Sequence, residues 1–146
     1  MKTILVPIDF SDVSGKVVNT AAALAGAFGS RVILVHVVEP EPQFVGYDPG
    51  PISVCMTVAG DLQADQRRLE SFKEKFGAGE ALALLIQGSI PDEILSLVRE
   101  HAAELIVMGS HGHGALYHLL AGSVTTAILK EAPCPVLIVP SGRGRG

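Results

Sequence analysis

The chain has 146 residues, 48% of them hydrophobic and 18% charged, with a net charge of -4. That length suits one domain with a sizeable core, and the composition excludes a disordered chain. The acidic balance argues against a nucleic-acid-binding surface, whose footprint is a basic patch. The one basic cluster, Arg143 and Arg145, lies in a Ser-Gly-Arg-Gly-Arg-Gly terminus read as a flexible tail over 141–146. Cys55 and Cys134 are far apart and outside any CxxC pattern, so neither a disulfide framework nor structural zinc is expected, and a reducing cytoplasmic setting fits. Cys134, between two prolines, reads as a buried small residue. The apolar run Ile4–Ile8 ends at Asp9, too soon for a signal peptide, and no stretch approaches the length of a bilayer span.

Lys2–Ile8 is rich in β-branched residues and predicts a strand buried on both faces. The polar break Asp9-Phe-Ser-Asp follows, with Ser11 or Asp12 as cap of a helix over Val13–Phe28. Val17, Val18, Ala21, Leu24, Ala25 and Phe28 form its apolar stripe, and Gly29 is its stop. Arg31–Val38 predicts the second strand. Glu39–Val58 contains Pro40, Pro42, Pro49 and Pro51 and reads as a long loop, either a lid or a tolerated surface insertion. Asp61–Phe76 predicts a charged helix with Leu62, Leu69, Phe72 and Phe76 inward and Glu70 paired to Lys73, ended by Gly77 and Gly79. Ala81–Gln87 is the third strand. Ser89-Ile-Pro-Asp92 opens a helix to about His101, with Pro91 near its start and a spacing like a capping box. Leu105–Met108 is the fourth strand, Ser123–Ala132 the last helix, and Val136–Val139 the fifth strand; Pro133 and Pro135 separate these last two.

Strands and helices alternate, and the strands are too apolar for a sheet wetted on one side. The expectation is an α/β fold, a three-layer α/β/α sandwich around a five-stranded parallel sheet, Rossmann-like, in the order 3-2-1-4-5. In such sheets ligands bind at the carboxyl ends of the strands where the winding reverses. Asp9 ends the first strand and Gly109 the fourth, and if those strands are neighbours across the reversal both face one crevice.

Gly109-Ser-His-Gly112 continues to Gly122-Ser123-Val-Thr125 between a strand and a helix. Glycines let backbone N–H groups approach an anion, and the helix start adds unpaired N–H groups and its dipole. The run has neither the Gly-Lys-Ser/Thr of a Walker A loop nor GxGxxG spacing. On spacing alone it reads equally as a turn that needs glycine only for backbone geometry.

Gly109-x-x-Gly112, nine residues, then Gly122-Ser123 matches the ATP-binding signature of the universal stress protein family. The opening ILVPIDFSD, His36-Val37 at the end of the second strand, GSIPDEIL and APCPVLIVP resemble the corresponding pieces of that family, so the resemblance spans about residues 2–140. It implies a domain over 1–140 that binds ATP, or ADP or AMP, with Mg2+ carried on the phosphates. Pro7, Asp9 and Val37 would line the adenosine end, with Asp9 accepting hydrogen bonds from ribose hydroxyls and Val37 meeting adenine through its backbone. Gly109, Gly112, Gly122, Ser123, Val124 and Thr125 would wrap ribose and phosphates, and His111 and His113 lie in the same loop. Many ATP-binding relatives carry Arg or Lys where His113 stands, which implies weaker or pH-dependent triphosphate binding here. The family commonly dimerises through its last strand, so a homodimer through Val136–Val139 is expected.

His111, His113 and His118 have no Cys or carboxylate close in sequence, so no protein-held metal is expected. No nucleophile has an evident base, and no group is placed to orient a water. The resulting expectation is a cytoplasmic, nucleotide-binding sensing or signalling homodimer with at most slow hydrolysis. The alternatives are a nucleotide-independent scaffold acting through protein partners, or a slow ATPase or phosphotransferase.

Overall fold

The computed structural model describes residues 1–40, 51–77, 79–110 and 124–140, with the side chains of 51–61 outside that description. Five strands, β1 (Thr3–Pro7), β2 (Arg31–Val38), β3 (Ala81–Gln87), β4 (Leu105–Gly109) and β5 (Val136–Val139), form one sheet in the order β3-β2-β1-β4-β5. Every pairing is parallel. The helices are α1 (Ser14–Phe28), α2 (Pro51–Lys73), α3 (Ile90–His101) and α4 (Val124–Glu131), with a short 3-10 turn over Glu74–Phe76.

Side-chain alternation along the strands sends one set of residues to each face. Ile4, Val6, Val32, Leu34 and Val107 pack with Val17, Val18 and Ala21 of α1 and Leu69 of α2. Leu5, Ile33, Val35, Ile106 and Met108 pack with Ile94, Leu95 and Val98 of α3 and Ile128 of α4. The sheet is thus covered on both faces, as a parallel sheet requires. Burying each such aliphatic side chain is worth about 1.5–3 kcal/mol.

The helix boundaries depart from expectation in instructive ways. α2 begins at Pro51, so residues 51–58 are helix and not loop. Proline is well suited to a helix start, where its missing N–H costs nothing and its φ is already helical. Neither Ser11 nor Asp12 caps α1. Val13 occupies the N-cap position in helical geometry without a side-chain cap, and the Ser14 N–H donates to the Ser11 carbonyl at 3.0 Å. A turn leads the chain into this helix, which leaves the nearby side chains for other contacts. Ser89 stands at the N-cap of α3, but its hydroxyl makes no cap bond, so the capping box does not form. Gly29 ends α1 in the left-handed region at φ 64°, donating to the Ala25 carbonyl. Phe28, on the last turn of α1, is 53% exposed. Lys73 and Glu70 pair at 3.5 Å. Cys134 is half-buried and not fully enclosed, because flanking Pro133 and Pro135 hold it on an exposed turn.

Candidate functional site

β1 and β4 are hydrogen-bonded neighbours, and the chain leaves them toward opposite faces, into α1 and toward α4. The divergence opens a crevice at their carboxyl ends. A cavity of about 400 Å³ lies there. Pro7, Asp9, Val37, Gly109, Val124 and Thr125, all picked from the sequence, line it together. His111, Gly112, His113, Gly122 and Ser123 lie outside the described residues, as does His118. Sequence reasoning missed Ile8, Val13, Ser14, Val17, Ile90, Ile94, Met108 and Ser110 on the same wall. The aliphatic ones look like core positions in any periodicity; Ser14 and Ser110 were signalled only by standing near Asp9 and next to Gly109.

Asp9 sits on the loop just past β1. Its Oδ1 accepts from the Ser11 N–H at 2.9 Å and from the Ser14 hydroxyl at 3.3 Å. Partial burial by itself would raise the carboxyl's pKa. The Ser11 hydroxyl, nearby but without hydrogen-bond geometry, the Ser11 N–H and the Ser14 hydroxyl outweigh it and hold the pKa below the ordinary carboxylate range. The ionised carboxylate therefore stabilises the fold. This contribution is fully present above the unfolded-state pKa and is lost as pH falls through that range to the lowered folded value. Denaturant unfolding measured across that acid window should show Asp9→Asn with a flatter pH dependence than the wild type; identical slopes would refute the assignment.

The other polar groups are backbone and hydroxyl. Ser110, only 8% exposed, holds its N–H on the Val139 carbonyl at 3.0 Å, and its hydroxyl oxygen has no hydrogen-bond partner among the described residues. A buried hydroxyl without a partner is costly and invites a ligand or water. Gly109 has a packing reason to be glycine: an added Cβ would lie 2.6 Å from Val13 Cγ1 and 3.3 Å from Val17 Cγ2. The absent side chain lets α1 press directly on the end of β4.

Behind Asp9 stands a second set of contacts. Phe10 has φ 65°, a left-handed conformation that costs a bulky residue roughly 1–3 kcal/mol. Its ring lies 4.4 Å from the His36 ring and 6.2 Å from that of Phe72, with the Arg68 guanidinium 4.2 Å above it. His36 Nδ1 lies 2.8 Å from the Ile8 carbonyl oxygen, and Nε2 lies 3.8 Å from Asp65 Oδ2. β2 and α2 thus brace the loop on both sides of Asp9.

Among the described residues that line the cavity, Asp9 is the one titratable side chain. This wall can accept hydrogen bonds from hydroxyls and enclose an apolar ring. No group of His, Cys, Asp and Glu able to hold a metal ion occurs among the described residues. No helix among them is long and apolar enough to cross a membrane.

The model of the universal stress protein family matches residues 1–140. The chain belongs to the universal stress protein family. It is 37% identical over 145 residues to the universal stress protein in the QAH/OAS sulfhydrylase 3′ region of Thermus aquaticus, a match covering 94% of this chain and 98% of that one. A solved universal stress protein in complex with cAMP has a TM-score of 0.72 and 23% identity, covering 97% of this chain and 98% of that one. The Archaeoglobus fulgidus universal stress protein in complex with dAMP has a TM-score of 0.62 and 21% identity, covering 94% and 97%. At these identities the two structures show a shared universal stress protein fold.

Proposed function

We propose that this universal stress protein binds an adenine nucleotide in the cavity between the ends of β1 and β4, and acts as a sensing or signalling protein. The observation that carries the reading is Asp9: an ionised acceptor at a strand reversal, with no cation paired to it among the described residues, beside an aliphatic wall. A carboxylate there suits a pair of ribose hydroxyls, and Ile8, Val37, Ile90 and Met108 suit the faces of a purine. Val124 and Thr125 open α4, and the first turn of a helix, with the positive end of its dipole, is a favourable place for phosphate. The two similar structures in complex with cAMP and dAMP support an adenine nucleotide as the class.

ATP is the first candidate, with ADP and AMP as alternatives, since no Lys or Arg is found among the described lining residues. Mg2+ would arrive on the phosphates and not on a protein-only site. The setting is cytoplasmic, and hydrolysis, where it occurs, is slow. Mass spectrometry of small molecules released on denaturation, then calorimetric titration with ATP, ADP and AMP, tests the reading. Co-purified adenine nucleotide, or saturable binding lost in Gly122→Val, upholds it. A folded protein that ignores all three nucleotides overturns it and leaves the scaffold as the function.

The same reading includes a homodimer through β5. That strand is at the sheet edge, with Leu137 and, on neighbouring α4, Leu129 exposed at 38% and 50%. Exposed apolar edges pair with other chains unless something covers them. Leu137→Lys should shift the sedimentation coefficient from dimer to monomer; a monomeric wild type, or a dimer unaffected by the change, excludes this interface.

A further inference from the structure

In the β1–β2 ladder, alternate residues of β2 turn their peptide groups toward β1. The Arg31 N–H donates to the Lys2 carbonyl and the Val35 carbonyl accepts from the Ile8 N–H, both at 2.8 Å. The intervening residues turn the other way: the Val32 N–H donates to Glu80 at 2.9 Å, and the Val38 carbonyl accepts from Gly88 at 3.0 Å. By this alternation Val37 faces the β1 side. The next rung would run from the Val37 N–H to the Ile8 carbonyl. Among the described residues that rung is not made; His36 Nδ1 sits on the Ile8 carbonyl instead, at 2.8 Å.

A carbonyl oxygen can only accept, so Nδ1 carries the hydrogen and donates. Side-chain contacts hold the imidazole in place. The Phe10 ring lies 4.4 Å away, and Asp65, itself 4.0 Å from Arg68, faces Nε2 at 3.8 Å. The imidazole is 14% exposed, so its position is set by packing and not by solvent.

We propose that His36 is a positioning residue for base recognition: by taking the Ile8 carbonyl it keeps the Val37 N–H out of the β1 ladder and available to the edge of a bound adenine. An adenine edge offers acceptor nitrogens beside the donating amino group, and a free strand-end peptide offers the complementary N–H and C=O. The same bond fixes the Ile8 peptide, and so the direction in which Asp9 leaves the strand. One imidazole thereby sets both the base contact and the ribose contact. The inference rests on the nucleotide reading for its ligand, but its structural part stands without one.

The test compares wild type, His36→Leu and His36→Asn. Leucine fills the space without a donor; the Asn side-chain amide places N–H near the position of Nδ1. In the nucleotide-free protein, long-range 1H–15N spectra should show His36 Nδ1 protonated. Hydrogen exchange at the Val37 amide should be slower in His36→Leu than in wild type, because the rung to Ile8 then closes. A merely structural defect would speed exchange there, not slow it. AMP affinity should fall on the order of tenfold in His36→Leu, the worth of about one hydrogen bond, and recover in His36→Asn. An unprotonated Nδ1, or an unslowed Val37 amide in the leucine variant, overturns the proposal. So does wild-type AMP affinity in that variant. A folded wild type that binds no AMP overturns the nucleotide reading, while the exchange and tautomer results still decide the role of His36.

Discussion

Replacing Gly109 with alanine should destabilise the protein by about 1–3 kcal/mol, the usual cost of an added methyl in a filled core. The new Cβ would lie 2.6 Å from Val13 Cγ1, closer than any real contact, and 3.3 Å from Val17 Cγ2. Val13 and Val17 are 3% and 1% exposed, so neither can swing into solvent. Both are β-branched and stiff at χ1, which leaves movement of the α1 backbone as the relief. Thermal unfolding should shift down by roughly 2–4 °C per kcal/mol in a chain of this size. An unchanged midpoint would show that α1 gives way freely. Because Val13 and Val17 also line the cavity, the same displacement should weaken ligand binding. Gly109 is thus required by helix packing, and it also lines the cavity proposed for the ligand.

Asp9→Ala should lower adenine-nucleotide affinity by about 10- to 100-fold, the range expected when hydrogen bonds to a charged acceptor are lost. Two hydroxyl donors of a ribose would lose their partner. The Ser14 hydroxyl, in a residue 1% exposed, would lose its bond to Oδ1 as well, so some loss of stability is expected. Asp9→Asn separates the effects. Its amide oxygen still accepts from Ser11 and Ser14, keeping the loop shape, while the charge is gone. Calorimetry of both variants with ATP and AMP is the measurement. Binding that is insensitive to Asp9→Ala removes the ribose contact and with it the orientation of the nucleotide proposed above. Affinity lost in Ala but largely kept in Asn would assign Asp9 a geometric role.

The fold was legible where hydrophobic runs were short and bounded. The limits of Arg31–Val38, Ala81–Gln87 and Val136–Val139 coincide with the strands observed, because a strand of a parallel sheet with helices on both faces is a short, plain apolar run, even at the half-buried edges. Strand and helix alternation pointed to a parallel sheet covered on both faces, and right-handed crossovers narrowed its order without fixing it. The start of α2 was not legible: Pro49 and Pro51 look like breakers, and only context tells a proline that opens a helix from one that forbids it. Capping also misled: at α1 a backbone turn from Ser11 to Ser14 leads into the helix in place of a Ser11 or Asp12 cap, and Ser89 stands at the N-cap of α3 without a side-chain bond. At the site, Asp9 and Gly109 stood out because a carboxylate and a glycine are conspicuous at strand ends. Val13, Ile94 and Met108 did not, since a ligand-facing aliphatic and a core aliphatic are the same residue in a sequence. His36 was visible only as part of a His-Val pair. Its bond to Ile8 joins residues 28 apart and has no local signature.

Several residues that wall the cavity, among them Val17, Val37, Ile94 and Met108, are also members of the two hydrophobic cores. An occupant of that space is therefore a removable piece of the protein interior, bridging the layers on both faces of the sheet. Folding and occupancy become linked equilibria. A ligand at 100 times its dissociation constant adds about 2.7 kcal/mol to the unfolding free energy, a large share of what a domain of this size has to spare. The resistance of this chain to unfolding, and so to proteolysis, would rise and fall with the concentration of the small molecule around it. Its abundance could then report that concentration without a catalytic step.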